Sequence, residues 1–390
     1  MKNTAYAKSM QNFFRRVALF AALAIGLHFA LACSSPDQSA KLESVPAEAE
    51  YFVVYSDILS KDGGCFFVDK DGNNVEKELT LATQDLCFYE VTDNRILLSG
   101  ARANNNLIFN KGIPRPIADF YFLNDKRYTG VTAFTSMGDS VLGIMNGGFA
   151  EKTYQTYLIY QKLSGEVLQE HVIDLYVKDI IARESNAFLF GEYSDGPADS
   201  YPSYAMIIDY SLSEADVVDQ HEYKNYTVFS CSEEYQDFYL AIAGGSNYRR
   251  NTVVAIDAET YEITSEIFIN DELSNLLIYN DRAYAVGETG VYELDFSNES
   301  SDCKLKFSEY SDSDFYSDFC YQLDGKWYFF VRKNEREYVD DIIKLGCMLE
   351  VDPDTFSCST TEINYSGERN DYIANMFIIP ASFMRSEHNA

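Results

Sequence analysis

Six short polar turns recur along residues 92 to 325 at a nearly constant spacing, and that period confines the chain to a repeat architecture. They are Thr92-Asp93-Asn94, Gly138-Asp139, Ser185-Asn186, Gln236-Asp237, Asn280-Asp281 and Asp324-Gly325. Measured at Asp93, Asp139, Ser185, Gln236, Asn280 and Asp324, the steps are 46, 46, 51, 44 and 44 residues. Each turn separates two runs rich in aromatic and β-branched residues, the composition of strands, and no segment from residue 50 onward stands out with helical periodicity. The strand after the turn usually ends in small residues, as at Gly100, Gly148, Gly191, Gly245 and Gly287.

A second punctuation falls later in each unit, where an apolar strand closes on a polar residue. It appears at Val68-Asp69, Phe109-Asn110, Tyr160-Gln161, Ile208-Asp209, Ile256-Asp257, Leu294-Asp295 and Val351-Asp352. Asp opening a tight turn is ordinary hairpin chemistry. Seven copies of this feature stand against six of the first. A unit of four strands, A to D, accounts for the mismatch: residues 50 to 80 supply only B, C and D, and Tyr372 to Ile379 supplies a lone A. Together they complete a seventh blade and leave no exposed edge between the chain ends. The expected fold is therefore all-β, a seven-bladed β-propeller of four-stranded antiparallel blades closed by the N- and C-terminal strands, with six or eight blades as alternatives. Ser297 to Phe315 reads as an insertion between blades.

The turns Ile256-Asp257-Ala258-Glu259-Thr260-Tyr261 and Val351-Asp352-Pro353-Asp354-Thr355-Phe356 resemble those of the quinoprotein-like repeat propellers, a bacterial superfamily often found on secreted and lipid-anchored proteins. The likeness covers residues 50 to 380 by period and speaks to fold rather than to function. Quinoprotein dehydrogenases carry a tryptophan in most blades, whereas this chain has only Trp327, so quinone-dependent oxidation is not expected. The sialidase box, the integrin-type calcium loop and the Trp-Asp ending of WD repeats are all absent.

Ahead of the repeats, Lys2, Lys8, Arg15 and Arg16 precede a largely apolar run from Val17 to Ala32, the pattern of a secretory signal. The run ends in Ala30-Leu31-Ala32-Cys33, which resembles the lipobox of bacterial lipoproteins, where cleavage before the cysteine leaves a thiol that carries a diacylglycerol. Residues 1–32 are thus expected to be a signal peptide, 33–49 a lipidated Cys33 with a flexible tether, and 50–390 the propeller; a plain signal peptide with an ordinary Cys33 is the competing reading. The implied location is the bacterial cell envelope, anchored in a membrane and facing away from the cytoplasm. The chain carries 31 Lys+Arg against 61 Asp+Glu, net −30. With no basic excess to displace counterions, nucleic acid is not an expected partner, and the lipid anchor is the only expected membrane contact.

Chemistry-bearing motifs are sparse. His171, His221 and His388 have no zinc spacing, and neither a nucleophile elbow nor a phosphate-binding glycine loop occurs; no cofactor is expected. Asp69-Lys70-Asp71-Gly72-Asn73 begins like a calcium loop, but Thr80 stands where the twelfth-position glutamate belongs, so it reads as a solvated turn. Asp312, Asp314 and Asp318 form a denser acidic stretch and a secondary calcium candidate. Cys347 and Cys358 flank the Asp352-Pro353 turn and form a candidate disulfide, with Cys303 and Cys320 a weaker pair; the alternative is that all are small buried hydrophobes.

In an antiparallel meander the A–B and C–D turns share one face, and the B–C and D–A connections share the other. The second set holds the longer loops, 58–64, 101–106, 147–155, 194–203, 245–251 and 333–343, so binding is expected there. Arg249, Arg250, Arg332, Lys333 and Arg336 fall on that face and are candidate contacts, with charge balancing against neighbouring carboxylates as the competing reading. Tyr248 and Tyr338, with Tyr193, Tyr201 and Tyr204, add contact surface. The expected function is a binding module for a protein or ligand, without catalysis. The alternative is a carboxylate- or calcium-dependent lyase or hydrolase acting on an extracytoplasmic substrate such as a glycan, which acidic residues of the A strands clustered with Arg or Tyr in the central channel would favour.

Overall fold

The computed structural model describes residues 44–56, 62–75, 79–82, 85–113, 130–150, 153–194, 203–245, 249–309, 315–339, 342–366 and 375–385. These form seven antiparallel sheets, six of four strands and one of three among the described residues. Blade 1 is built as the turn count requires: its A strand is Asn375–Pro380, its B strand Ala49–Ser56, then Asp62–Asp69 and Leu79–Ala82. Tyr51 pairs with Pro380 and Ser56 with Asn375, so the two ends of the chain zip into one sheet and close the ring. At the entry to that sheet Arg385 donates from Nη2 to the carbonyls of Pro46, Ala47 and Ala49, the last at 2.6 Å.

Blade 2 contributes Leu86–Thr92, Arg95–Gly100 and Asn106–Asn110; blade 3 Val131–Met137, Ser140–Ala150, Thr153–Lys162 and Val167–Ile173; blade 4 Tyr176–Ala182, Asn186–Ser194, Ser203–Ser211 and Asp216–Tyr223. Blade 5 contributes Val228–Tyr235, Phe238–Gly244, Arg250–Asp257 and Ile263–Phe268; blade 6 Leu273–Tyr279, Arg282–Gly287, Gly290–Asp295 and Ser300–Lys306; blade 7 Phe315–Leu323, Lys326–Val339, Ile342–Val351 and Cys358–Tyr365. Ser300–Lys306 is thus the outermost strand of blade 6. Within the stretch Ser297 to Phe315 expected to be an insertion, Ser300–Lys306 is the blade's own fourth strand, disguised because its solvent-facing edge is polar; 310–314 lie outside the described residues.

The B and C strands read as unbroken apolar runs because each blade is covered on both faces. Successive residues point to opposite faces, so Tyr239 and Ala241 pack toward blade 4 while Leu240 and Ile242 pack toward blade 6. The same division sends Leu142 and Ile144 to blade 4 and Val141 and Met145 to blade 2. Trp327, fully buried, joins Tyr284 of blade 6 to blade 7 in edge-to-face contact at 4.8 Å.

All seven C–D turns contain a left-handed residue: Gly72, Gly112, Gly165, Ala215, Tyr261, Glu299 and Phe356. At Asp257 one carboxylate oxygen accepts from the amides of Glu259 and Thr260 and from the Thr260 hydroxyl; at Asp352 it accepts from the amides of Asp354 and Thr355. An aromatic residue tolerates positive φ here because its ring fills the seam between blades: Phe356 packs on Trp327, and Tyr261 stacks on His221 at 3.7 Å. Asp69 is a turn of the same kind, accepting from the amides of Asp71 and Asn73, as its solvated-turn reading requires.

Two expected loops are strands instead. Residues 147–150 and 153–155 pair as a hairpin extension as far as Ala150–Thr153, and 333–339 and 342–343 continue blade 7 as far as Val339–Ile342 after a register slip between Arg332 and Glu337. The candidate disulfide is not formed. Register sets Cys358 opposite Val351 and Cys347 opposite Glu362, so the two are not cross-strand partners, and both thiols are free. Cys303 and Cys320 are also free; they lie on the outermost strand of blade 6 and the innermost strand of blade 7.

Candidate functional site at the mouth of the ring

The innermost strands of blades 2 to 7 share one irregularity. Each gains an extra residue against its B strand near its start, at the D–A end, and the extra residues are Cys87, Thr132, Lys178, Ser230 with Cys231 beside it, Ser274 and Asp318. A bulge of this kind bends the strand and re-aims a side chain. It also explains one of the glycines near the B-strand ends: Gly191 lies opposite Val177 at the bulge, where a Cβ would stand 2.2 Å from the carbonyl oxygen of Tyr176.

Blades 3, 5 and 6 treat the bulge alike. Thr132, Ser230 and Ser274 each turn a hydroxyl onto a B-strand carbonyl, those of Ile144, Ile242 and Val286, in long bonds of 3.5, 3.5 and 3.4 Å. The others depart from that pattern. Lys178 lays its ammonium over the Tyr176 ring at 3.7 Å. In blade 7 the position is Asp318, half-buried, with Oδ2 2.9 Å from the Arg332 guanidinium. Burial pushes its carboxyl above the usual range, against the pull of Arg332. In blade 2 it is Cys87, whose thiol donates to Asp85 Oδ1 at 3.3 Å and accepts from Asn375 Nδ2, which also reaches Asp85 at 2.6 Å.

Asp318 and Cys87 face one cavity of about 220 Å³ at the seam of blades 7, 1 and 2. Polar and apolar groups share its remaining wall, Asn375 beside Tyr89, Phe319, Met376 and Phe377. The rings hold one another: Tyr89 and Phe319 each pack on Phe377 at 4.9 Å.

Toward the ring's interior the A strands meet directly. The Tyr89 hydroxyl donates to the Cys320 carbonyl at 2.8 Å, Asn275 Nδ2 donates to Tyr89, and the Cys231 thiol donates to Asn275 Oδ1, linking blades 2, 7, 6 and 5. Asp179 continues the chain to blade 4, accepting from the amide of Ser232 at 2.6 Å, its hydroxyl at 3.1 Å, and the amide of Ile180. Burial pushes the Asp179 carboxyl up to about 6 despite those donors, and burial with Asp179 nearby pushes Glu233 up to about 8. Glu90, which accepts from Thr135, is raised by burial as well. Burial likewise lifts the Cys320 thiol to about 12, which makes it a poor nucleophile. The inner strands therefore do carry buried carboxylates, Glu90, Asp179 and Glu233, but on three different blades, and among the described residues no three His, Cys, Asp or Glu side chains stand together as a metal set.

Of the residues singled out from sequence, Arg332 and Asp318 come together as the ion pair above. Arg250 pairs across to blade 6 with Glu272 at 3.1 Å, and Arg249 lies exposed beside it at the start of the strand. The basic residues therefore fall on two blades rather than in one patch, and Arg250 and Arg332 serve charge balance. Lys333, Arg336 and Tyr338 lie on the extended B strand of blade 7, where only the backbone is described; Cys33, Tyr248, Asp312 and Asp314 lie outside the described residues. Cys87, Asp85, Asn375 and the aromatic wall were missed. A readable signal existed: Cys87, Thr132, Ser230, Ser274 and Asp318 each stand six residues before the turn residues Asp93, Gly138, Gln236, Asn280 and Asp324.

Two grooves complete the surface. Between blades 3 and 4 a groove of about 390 Å³ has Tyr193 and Tyr204 on one wall and Asp174 and Glu222 at its rim, all at the B–C and D–A ends of their strands. A larger one of about 750 Å³ lies between blades 5 and 6 on the turn side. Its carboxylates are committed, Asp295 to the amides of Ser297 and Asn298, and Glu293 and Asp302 to Lys304.

No protein-family model matches the chain, and no curated protein is detectably similar in sequence. Solved structures are similar in backbone alone. The Pan2 WD40 domain of Neurospora crassa aligns with a TM-score of 0.48 and 11% identity, covering 73% of this chain and 80% of that one. Apo AztD from Citrobacter koseri aligns with a TM-score of 0.45 and 11% identity, covering 85% and 98%.

Proposed function

We propose that this chain is a lipid-anchored, extracytoplasmic propeller that binds a ligand or protein on its B–C/D–A face and performs no catalysis. The observation that carries the reading is the convergence of Asp318 and Cys87 on one cavity. At the same bulge, blades 3, 5 and 6 use a hydroxyl that only satisfies a backbone carbonyl, and the two blades flanking the closing seam abandon that solution. Aromatic side chains and a few placed polar groups converging on one cavity are features of binding pockets. The nearby Tyr193–Tyr204 groove adds amphipathic contact surface on the same face. The signal-like residues 1–32 and Cys33 support the envelope location. Replacing residues 1–33 with a signal peptide that is cut without lipidation should move the protein from the membrane to the soluble fraction while its unfolding midpoint stays the same; a protein so processed that remains membrane-bound would refute the anchor.

One observation favours the second reading, an enzyme acting through carboxylates. Burial raises the carboxyls of both Asp179 and Glu233 on neighbouring inner strands, and general acid–base chemistry would draw on such groups. The two readings separate on Glu233→Gln, which abolishes turnover in an enzyme and leaves ligand-induced stabilisation intact in a binding module.

A further inference from the structure

We propose that the cavity at the seam of blades 7, 1 and 2 binds an ammonium group carried on an apolar or aromatic body, with Asp318 receiving the ammonium and Tyr89, Phe319 and Phe377 enclosing the body. The proposal rests on the binding-module reading and names the class of ligand.

Asp318 occupies a bulge that a neutral hydroxyl fills in blades 3, 5 and 6, so a carboxylate there is not needed to complete the strand. Holding a half-buried carboxylate costs desolvation that must be offset by partners. Arg332 engages Oδ2, and among the described residues no donor reaches the other oxygen. The two further polar groups on the wall, Cys87 and Asn375, are both tied to Asp85. Asn375 is tied only through its Nδ2 donor, so Asp318 and the Asn375 amide oxygen are the wall groups with acceptor capacity to spare, Asp318 alone carrying charge, and a ligand that completes them must be a donor.

The rest of the cavity selects among donors. Aromatic faces attract a cation and pack an apolar body, whereas they offer nothing to a sugar-like ring of hydroxyls beyond stacking. The chain's net charge of −30 raises the local concentration of cations and repels anions. At about 220 Å³ the space is smaller than the roughly 300–1,000 Å³ of drug-sized pockets, which suits a single aromatic or short aliphatic body. A free amine or the N-terminal residue of a partner peptide presents the same chemistry.

The test is calorimetric titration of the purified protein with 2-phenylethylamine, 2-phenylethanol and 3-phenylpropionate, and with a peptide bearing a free N-terminal phenylalanine beside its N-acetylated form. The amine should bind about tenfold more tightly than the alcohol, the size of one partly desolvated cation contact, and the carboxylate should not bind. Asp318→Asn should bring the amine down to the level of the alcohol. Phe377→Leu, which leaves the Asp318–Arg332 pair intact, should weaken the amine about three- to tenfold, so the proposal stays testable if Asp318→Asn unfolds; Trp327 fluorescence reports folding for both. Binding of the amine alone assigns a small-molecule ligand, and binding of the free but not the acetylated peptide assigns a partner's N-terminus. Equal affinity for amine and alcohol overturns the cation assignment and leaves the binding-module reading standing. No binding by any compound overturns the cavity as the site, and the wider reading fails separately if crosslinkers placed at Tyr193 and Tyr204 on intact cells also capture nothing.

Discussion

Glu233 gives the sharpest test of the structure, because replacing it should stabilise the protein at one pH and do nothing at another. Its carboxyl sits at the ring's centre, and burial, with Asp179 nearby, holds it at about 8. An unfolded glutamate titrates near about 4.3, and each unit of difference corresponds to about 1.36 kcal/mol, so the shift is equivalent to about 5 kcal/mol. The sign follows from proton binding. Below about pH 4 the carboxyl is protonated in both states and costs nothing. As pH rises from there to about 8, the unfolded chain releases its proton and the folded one keeps it, so stability falls across that window and the loss is complete above it. Glutamine is a neutral isostere of the protonated form. Glu233→Gln should therefore raise the unfolding free energy by several kcal/mol, with about 5 as the ceiling, at pH 8.5, and change it by less than about 1 kcal/mol at pH 4. The assay is urea unfolding followed by fluorescence of Trp327, the only tryptophan and fully buried. Asp179→Asn should shrink the gain, since Asp179 supplies part of the shift. An equal effect at both pH values, or destabilisation at pH 8.5, would show that an unrecognised partner holds Glu233 ionised.

Other expectations follow from single contacts. Arg385→Ala removes a charged donor from three carbonyls at the entry to blade 1 and should cost about 1–2 kcal/mol, seen as a lower unfolding midpoint and faster proteolysis near Pro46. Gly72→Ala puts a Cβ 2.5 Å from the Glu362 carbonyl oxygen at φ +84, and equilibrium unfolding should show a loss of about 1–3 kcal/mol. Phe52→Ala empties a fully buried site packed on Phe67 and Phe109 and should cost about 3–5 kcal/mol by the same measurement. Truncation before Asn375 removes the strand that zips against Ala49–Ser56; the shortened chain should lose cooperative unfolding, and a sharp transition would contradict closure by the two termini.

Much of the fold was legible because turns and strand faces are local properties. Asp257 and Asp352 announce their hairpins through side-chain bonds to amides two and three residues on, and the count of such turns assigned Ala49–Ser56 and Asn375–Pro380 to one blade. Ser300–Lys306 was misread for the converse reason: an outermost strand lacks a second covered face, so its composition is that of a loop. The strand character of residues 333–339 was misread because 333–337 are polar in succession, which leaves no alternation to mark a strand.

The site was less legible. Arg332 and Asp318 were each visible as charged residues near loops, but one was assigned to a basic patch and the other to a calcium loop, because sequence separates residues that a bulge and a cross-strand pairing bring to 2.9 Å. Cys87 and Asn375, 288 positions apart, touch only because the ring closes there. The sequence by itself determined the period, the strand order and the closure, all of which depend on alternation and turn chemistry within a few residues. Only the tertiary structure decided which side chains share a cavity and which carboxylates lie buried, because those depend on seven sheets being wrapped about one axis, and burial has no local signature.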